Sequence, residues 1–268
     1  MVKRMTYLEF INNNKNIEKE AIILLITEKL NIAKWELNLN DDIDEKLIDY
    51  LDLLKQNIPV QYILGYTYFY KSKFIVNKNV LIPRFDTEVL VEETLKIIKN
   101  YNNPKILDLC TGSGCIGISI KKEMPLLSVT CIDISIQALN VAKMNAKLNN
   151  TEITFVQSDL LRNIEDTFDI IVSNPPYIDI NEEVMSLVKD NEPSLALYSP
   201  NEGLYHYEEI MKQAQNHLSM DGCILFEIPS NKDDKIIKLV LKYFNEYKII
   251  KDNNHLSRVI ILKQRRTL

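Results

Sequence analysis

Glycine is scarce in this chain and is concentrated at one place. There are six glycines among 268 residues, and Gly112, Gly114 and Gly117 fall within one six-residue stretch. They follow a strand-like apolar segment and precede a helical pattern. Glycine is needed where the backbone turns sharply or where a ligand must approach it closely. The sequence therefore predicts a strand, a tight ligand-binding turn, and a helix that begins at this turn.

Strand-like and helical segments alternate from residue 105 onward. Helices are predicted near residues 116–123, 136–149, 204–218 and 231–243. Strands are predicted at residues 105–109, 128–133, 153–157, 169–173, 222–228, 246–251 and 258–263. This alternation is typical of an α/β fold in which helices cover both faces of a seven-stranded, mostly parallel sheet. The last two strands have no helix between them, so we expect the final one to run antiparallel.

The first 82 residues have a different pattern. Up to residue 58 the apolar spacing is helical, and from residue 66 to 80 aromatic and β-branched residues surround short polar stretches, which indicates a β-hairpin. Asp86 is a candidate N-cap for a helix that runs to about residue 99. We therefore expect a small helical bundle at residues 1–65 that recognises the substrate, a hairpin linker at residues 66–82, and an α/β domain at residues 83–268.

Composition excludes several classes of protein. Hydrophobic residues make up 46% and charged residues 26% of the chain, which is ordinary for a globular protein. Aliphatic runs are far shorter than the ~18 residues that span a bilayer. The four cysteines include no C-x-x-C pair and the three histidines are scattered, so we expect no metal site. The net charge of −5 argues against a nucleic-acid binder. We expect a cytoplasmic protein, monomeric by default, without a membrane partner.

Acidic residues near the glycine turn indicate the kind of ligand. The stretch from Gly112 to Gly117 matches G-x-G-x-x-G, the dinucleotide pattern, and Asp133 follows at a strand end. Asp108, however, precedes the first glycine by four residues and would repel a pyrophosphate. An acid there suits the ammonium and sulfonium of S-adenosylmethionine. Asp133 can bind ribose hydroxyls, and Asp159 is placed to reach an adenine amino group.

A second motif, Asn174-Pro175-Pro176-Tyr177, follows the strand at residues 169–173. Two consecutive prolines end the strand and lack N–H groups, so the carbonyls of Asn174 and Pro175 remain available as acceptors. The Asn174 side-chain oxygen adds another acceptor, and Tyr177 supplies a flat apolar face. This arrangement suits a planar NH₂ group whose hydrogens need acceptors and whose plane needs a packing partner.

The two motifs together resemble those of class I S-adenosylmethionine-dependent amino-methyltransferases, which have a Rossmann-like sheet. The resemblance narrows to the PrmC (HemK) family, which methylates the glutamine side-chain amide in the Gly-Gly-Gln motif of class I peptide chain release factors. The narrowing rests on further motifs at residues 59–65, 80–88, 192–197 and 203–204. The resemblance implies that Asn174 to Tyr177 hold the substrate glutamine. It implies cofactor contacts at Cys110, Thr111, Gly112, Ser113, Gly114, Asp133, Leu160 and Asn174.

The chain departs from the family pattern at a few positions. Cys110 stands where the family has the first glycine of its turn, so this turn must accept a side chain. Phe85 and Asp86 replace a Pro-Glu pair. Near the C-terminus, Glu227 lacks the expected glycine two residues later, and the segment at residues 255–258 matches only in part.

Three other functions compete with this interpretation. The same Asn-Pro-Pro-Tyr cradle would accept the amino group of adenine or cytosine, which would make the protein a nucleic-acid amino-methyltransferase. The literal glycine pattern would suit an NAD-dependent oxidoreductase. A non-catalytic partner of the translation machinery would use the helical domain for docking. An intact cofactor turn beside an intact amine cradle favours the methyltransferase.

Overall fold

The computed structural model of the protein describes residues 5–265, with the backbone alone at residues 264 and 265. Residues 1–4 and 266–268, at the outer ends of the predicted domains, lie outside the described residues. Contacts divide the chain into two units. Unit 1 consists of Met1–Thr67 and Val184–Asn191, and unit 2 consists of Tyr68–Glu183 and Glu192–Leu268.

The secondary structure follows the predicted order of elements. The α-helices are α1 (Tyr7–Asn13), α2 (Lys19–Leu30), α3 (Ile48–Lys55), α4 (Val60–Leu64), α5 (Glu88–Ile98), α6 (Cys115–Glu123), α7 (Ile136–Leu148), α8 (Ser186–Lys189), α9 (Ser194–Leu197), α10 (Pro200–Gly203), α11 (Tyr205–Ala214) and α12 (Asp233–Tyr243). Short 3-10 helices lie at Lys34–Glu36, Glu45–Leu47 and Phe85–Thr87. The strands are β1 (Tyr66–Phe69), β2 (Ser72–Ile75), β3 (Lys105–Leu109), β4 (Ser128–Asp133), β5 (Thr154–Gln157), β6 (Phe168–Ser173), β7 (Leu218–Glu227), β8 (Phe244–Lys251) and β9 (Ser257–Arg265).

Unit 1 is helical, and its core is formed by apolar residues that recur at helical spacing. Helix α1 begins with a capping box in which the Thr6 hydroxyl accepts from the Glu9 amide and the Glu9 carboxylate accepts from the Thr6 amide. The buried core consists of Tyr7, Phe10, Ile22, Leu25, Ile26, Leu47, Leu51, Leu54 and Val60. The inserted segment Val184–Asn191 is attached through Asn191, whose side-chain amide donates to the Asn57 carbonyl at 2.8 Å.

Unit 2 contains the seven-stranded sheet that the alternation predicts, in the order β5-β4-β3-β6-β7-β9-β8. Neighbours from β5 to β7 pair in parallel, whereas β9 pairs antiparallel with both β7 and β8. The fold prediction is confirmed, including the antiparallel final strand. Strands β1 and β2 form the separate two-stranded hairpin expected after the helical segment.

Helices cover both faces of the sheet because successive residues of each strand point to opposite sides. In β3, Ile106 packs with Leu90 of α5 and Ile118 of α6 in one apolar cluster. Its neighbour Leu107 packs with Ile210 of α11 and Val240 of α12 in the other. Near-continuous apolar strands with both faces buried are characteristic of parallel sheets in α/β proteins.

The strand order reverses between β3 and β6. From β3 the chain proceeds to β4 and β5 on one side, and it then crosses to β6 and β7 on the other. The carboxyl ends of parallel strands meet at one edge, and the reversal point leaves a crevice where ligands bind in open α/β sheets. The glycine turn follows β3 and the Asn-Pro-Pro-Tyr motif follows β6, so both predicted motifs lie at this crevice.

Two local predictions are wrong. Asp86 does not cap a helix, because the 3-10 turn Phe85–Thr87 precedes α5 and Thr87 occupies the N-cap position without a side-chain bond. Asp86 instead pairs with Arg258 at 3.0 Å, a stronger electrostatic partner than backbone N–H groups. Strand β7 begins at Leu218, four residues before the predicted start, because the backbone at residue 217 already pairs with Phe168 of β6.

Candidate active site

The turn between β3 and α6 is built from left-handed backbone conformations. Cys110, Gly112 and Gly114 have φ angles of 61°, 54° and 80°. Gly112 and Gly114 adopt such angles at no steric penalty, whereas a residue with a Cβ is destabilised by roughly 1–2 kcal/mol. Cys110 therefore adopts a backbone conformation that favours glycine, in spite of its side chain. Burial raises the pKa of the Cys110 thiol, so the thiol is neutral and unreactive.

Asp108 stabilises this turn through hydrogen bonds to two of its residues. Its Oδ2 atom accepts from the Thr111 hydroxyl at 2.5 Å and from the Gly117 amide at 2.9 Å. Gly117 permits this approach, since a Cβ there would lie 2.5 Å from the Cys131 sulfur. The other oxygen, Oδ1, has no hydrogen-bond partner among residues 5–265. Burial raises the pKa of Asp108 to about 6, although the bonds from Thr111 and Gly117 oppose the rise.

Asp133 connects the glycine turn to the next helix. Its carboxylate accepts from the Gly112 amide at 2.8 Å and from the Ser135 amide at 2.9 Å. Ser135 is the N-cap of α7, so this acid fixes the ends of two neighbouring strand–helix connections. Burial raises the pKa of Asp133, and these backbone bonds lower it. A carboxylate has about four acceptor positions, so Asp133 retains capacity for a ligand hydroxyl.

The turn, Asp133 and the end of β6 line one cleft with a cavity volume of about 150 Å³. The predicted residues that line the cleft are Cys110, Gly112, Asp133, Asp159, Leu160, Asn174 and Pro176. The predicted residues outside its lining are Asp108, Thr111, Ser113, Gly114, Pro175 and Tyr177. Asp159 is paired with Arg162 at 2.7 Å, and both side chains are half-exposed.

The Asn-Pro-Pro-Tyr motif is held at the sheet edge by its neighbours. The Ser173 hydroxyl, at the end of β6, donates to the Leu109 carbonyl at 2.6 Å, which joins the end of β6 to that of β3. The Asn174 side-chain amide donates to the Thr87 hydroxyl at 3.3 Å. This contact leaves the Asn174 oxygen as an acceptor, because no described residue donates to it.

Tyr177 is fixed through its backbone. The buried Lys232 ammonium donates to the Tyr177 carbonyl at 2.9 Å and also pairs with Glu182. Gly203 lies against the same carbonyl, and a Cβ at this position would be 2.0 Å from the oxygen. Burial raises the pKa of Tyr177 to about 12, so its phenol is neutral near pH 7.

Sequence reasoning missed an ion pair that connects two of the family-like motifs. Arg84 donates to Glu192 at 2.5 Å, and the other Glu192 oxygen accepts from the Ile82 amide at 3.2 Å. The Glu192 side chain is 1% exposed, so its charge depends on these partners. The two segments are 108 residues apart in the chain, and nothing local in either motif indicates the pairing.

Two other polar residues near the predicted site were also missed. Glu227, at the end of β7, is a buried carboxylate beside Thr87 and Asn174. His206 lines the cleft and shares a 2.7 Å contact with the Ser199 hydroxyl. Burial lowers the pKa of His206, which keeps the imidazole neutral at pH 7. The only sequence signal for Glu227 was the incomplete C-terminal motif, and none pointed to His206.

The described residues also show what this site and fold lack. Within residues 5–265, no three His, Cys, Asp or Glu side chains are grouped in a way that would hold a metal ion. No helix of the described part of the chain is long and apolar enough to cross a membrane.

Comparisons with known proteins show similarity to methyltransferases. Residues 85–191 match the family model described as Methyltransferase small domain. A solved methyltransferase structure from Pyrococcus furiosus covers 71% of this chain and 88% of its own, with a TM-score of 0.54 and 17% identity, which shows the fold alone.

Similarity to curated sequences is closer. The release factor glutamine methyltransferase of Flavobacterium psychrophilum is 45% identical over 71% of this chain and 70% of its own length. That of Mycoplasma mycoides subsp. mycoides is 38% identical over 94% of this chain and 95% of its own length. Because the second match spans nearly the whole of both proteins, and includes both the glycine turn and the segment after β6, this chain belongs to the release factor glutamine methyltransferase family.

Proposed function

We propose that the protein transfers a methyl group from S-adenosylmethionine to the side-chain amide nitrogen of the glutamine in the Gly-Gly-Gln motif of class I peptide chain release factors. It would thereby support translation termination in the cytoplasm. The observation that carries the proposal is the placement of Asn174. Asn174 lines the cleft at the strand-reversal point, and its side-chain nitrogen donates to the hydroxyl of Thr87, which is buried outside the cleft lining.

The residues around the cleft fit S-adenosylmethionine, which supplies an electrophilic methyl group on a sulfonium. Asp133 has unused acceptor capacity for ribose hydroxyls. Gly112 lines the cleft and has no side chain there, which leaves room for a bound molecule. The Asp108 oxygen without a partner gives the region behind the turn a negative potential, which suits a cation and disfavours a pyrophosphate. This arrangement supports S-adenosylmethionine over a dinucleotide.

The Asn-Pro-Pro-Tyr motif offers a way to activate a weak nucleophile. An amide nitrogen is poorly nucleophilic because its lone pair is delocalised, and it gains positive charge as a bond to carbon forms. The Asn174 side-chain oxygen and the Pro175 carbonyl would accept the two amide hydrogens and stabilise this charge. Tyr177 would hold the amide plane in place, so that much of the acceleration comes from orientation. No strong base is required if the proton leaves after methyl transfer.

The central experiment is methyl transfer from labelled S-adenosylmethionine to a purified class I release factor. A second factor, with the Gly-Gly-Gln glutamine changed to alanine, serves as the control. We expect label on the first factor only. Label on neither factor, with cofactor binding confirmed by calorimetry, would contradict the proposal. Adenine or cytosine amino groups of tRNA, rRNA and DNA would then be the next substrates, since the same cradle would accept them.

Unit 1 is proposed to recognise the release factor, because one glutamine presents too little surface for specificity. Its Trp35, the single tryptophan of the chain, is 88% exposed. Exposed tryptophans are frequent anchors in protein interfaces. We expect Trp35→Ala to raise KM for the whole factor about tenfold or more and to leave kcat unchanged. Initial rates at several factor concentrations measure both constants.

Leu126→Ala is the matched control for this prediction. Leu126 is an apolar side chain of unit 2 that is 93% exposed, and its removal should change neither constant. If Trp35→Ala and Leu126→Ala have the same KM as the unsubstituted protein, Trp35 is not part of the recognition surface.

A further inference from the structure

Glu227 is a buried carboxylate at the edge of the candidate active site. It is the last residue of β7, directly after Phe226, whose register partner in β6 is Ser173. Parallel pairing therefore places Glu227 beside Asn174, the residue that follows Ser173. Glu227 is 5% exposed, and its Oε2 atom has no hydrogen-bond partner among the described residues. An unpartnered buried carboxylate oxygen is unfavourable unless it has another use.

The contacts around Glu227 converge on the Asn174 carboxamide. The Thr87 hydroxyl receives the Asn174 side-chain N–H at 3.3 Å, and Thr87 is itself 2% exposed. Thr87 and Asn174 also lie close enough to the Glu227 carboxylate to lower its pKa. The Thr87 hydroxyl and the Glu227 carboxylate therefore both offer hydrogen-bond acceptors to the nitrogen end of the Asn174 carboxamide.

The two ends of a carboxamide have nearly the same shape, so neighbouring groups decide which end faces a ligand. An ionised carboxylate only accepts hydrogen bonds and therefore attracts the nitrogen end of Asn174. A protonated carboxyl group carries an O–H donor and would attract the oxygen end instead. The second arrangement would turn an N–H group toward the substrate amide, where an acceptor is needed.

We propose that Glu227 is a positioning residue whose ionised carboxylate holds the Asn174 carboxamide with its oxygen toward the substrate amide, and that protonation of Glu227 switches this acceptor off. The proposal rests on the proposed function of the site. It adds a group that touches neither substrate nor cofactor and acts through Asn174.

The charged surroundings of Glu227 place its titration in an accessible range. Burial raises the pKa of Glu227 to about 7, against the lowering effect of the bonds from Thr87 and Asn174 and of the Arg258 cation. Arg258 is shared, since its guanidinium also pairs with Asp252 at 2.8 Å and with Asp86 at 3.0 Å.

The ionisable groups that face Glu227 are Asp86, Cys115, Tyr177, Tyr207 and Arg258. Burial raises the pKa values of Cys115, Tyr177 and Tyr207, so these three groups stay neutral where Glu227 titrates.

The first test is the pH profile of methyl transfer to a whole release factor between pH 5.5 and 8.5. A group with a pKa near 7 is about nine-tenths protonated at pH 6, so the rate of the unsubstituted protein should fall about tenfold between pH 8 and pH 6. Glu227→Gln places both an acceptor and a donor beside Asn174 at every pH. We expect a rate about tenfold lower at pH 8 and no acid limb with a midpoint near pH 7. Asp108, whose pKa is about 6, titrates in both proteins alike. An acid limb near pH 7 that persists in Glu227→Gln would overturn the proposal.

The matched control is Glu192→Gln, which removes another buried carboxylate of the same unit. Both Glu192 oxygens have partners, Arg84 and the Ile82 amide, and they do not contact Asn174. Whatever its rate at pH 8, this variant should keep the acid limb. Loss of the limb in both variants would show that the limb reports general loosening of the site, and would also overturn the proposal.

A second measurement does not depend on activity. The side-chain N–H signals of Asn174 in a nitrogen-15 NMR spectrum, assigned by their absence from Asn174→Ala, should shift with a midpoint near pH 7. The shift should be absent in Glu227→Gln. If this coupling is seen but no release factor is methylated, the role of Glu227 stands and the proposed substrate is wrong. If the Asn174 signals do not shift with pH in the unsubstituted protein, the proposed role of Glu227 is wrong, whatever the substrate.

Discussion

Asn174→Ala is expected to lower the rate of methyl transfer about 100-fold or more while S-adenosylmethionine still binds. The substitution removes the side-chain acceptor that we propose stabilises the amide nitrogen as it becomes positive. Removing one preorganised hydrogen-bonding group of this kind typically lowers kcat by about 10²–10³. Single-turnover transfer from labelled S-adenosylmethionine measures the chemical step, and calorimetry measures the affinity for the cofactor.

The control for this prediction is Asn181→Ala, which removes an exposed asparagine seven positions later in the same unit. The Asn181 side chain bonds only to Asp179 among the described residues, so its loss should leave the rate unchanged. Equal turnover of Asn174→Ala and the unsubstituted protein would remove Asn174 from the mechanism. A parallel loss of cofactor affinity would instead assign Asn174 mainly to cofactor binding.

Gly203→Ala is expected to have the largest effect on stability. Gly203 has a φ of 86°, and an added Cβ would lie 2.0 Å from the Tyr177 carbonyl oxygen and 2.7 Å from the Lys232 ammonium. The backbone at Tyr177 must move to relieve this collision, and the bond from Lys232 is then lost. We expect the free energy of unfolding to fall by about 3 kcal/mol or more, since backbone strain and overpacking each contribute roughly 1–3 kcal/mol.

A second glycine separates the two contributions. Gly65 in unit 1 has a φ of 81°, but a Cβ there would meet nothing within 4 Å. Gly65→Ala should therefore lose only the backbone contribution, about 1 kcal/mol. Urea unfolding of both variants measures the difference, and equal losses would show that the collision at Tyr177 is relieved without penalty. Methyl transfer by folded Gly203→Ala should also fall, because Tyr177 is displaced.

Sequence reasoning succeeded where local pattern and burial agree. The predicted strands at residues 105–109 and 128–133 coincide with β3 and β4, because short apolar runs bounded by turn residues are suited to a sheet buried on both faces. The glycine turn was predictable for a similar reason. Its left-handed conformations require glycine at Gly112 and Gly114, and scarcity elsewhere made the requirement visible.

The missed features depend on contacts between distant parts of the chain. Asp86 has the local features of an N-cap, but its interaction with the Arg258 cation prevails. Asp108 has the position of a ligand contact, yet one of its oxygens is occupied by Thr111 and Gly117 of the turn itself. Glu227 becomes noticeable only when the pairing of β6 and β7 places it next to Asn174. Contacts of this kind cannot be predicted from the spacing of residues in the sequence.

The composition of unit 1 has a consequence for how the protein is made. Its two segments, Met1–Thr67 and Val184–Asn191, are separated in the chain by β3 to β6 and by the Asn-Pro-Pro-Tyr motif. Chains emerge from the ribosome from the N-terminus, and domains generally fold as units during synthesis. The helical unit therefore acquires its last segment only after the central strands of the sheet have emerged. For the same reason, exchanging residues 1–67 with those of a relative would transfer an incomplete unit 1, and a chimera with a complete unit 1 would also need residues 184–191.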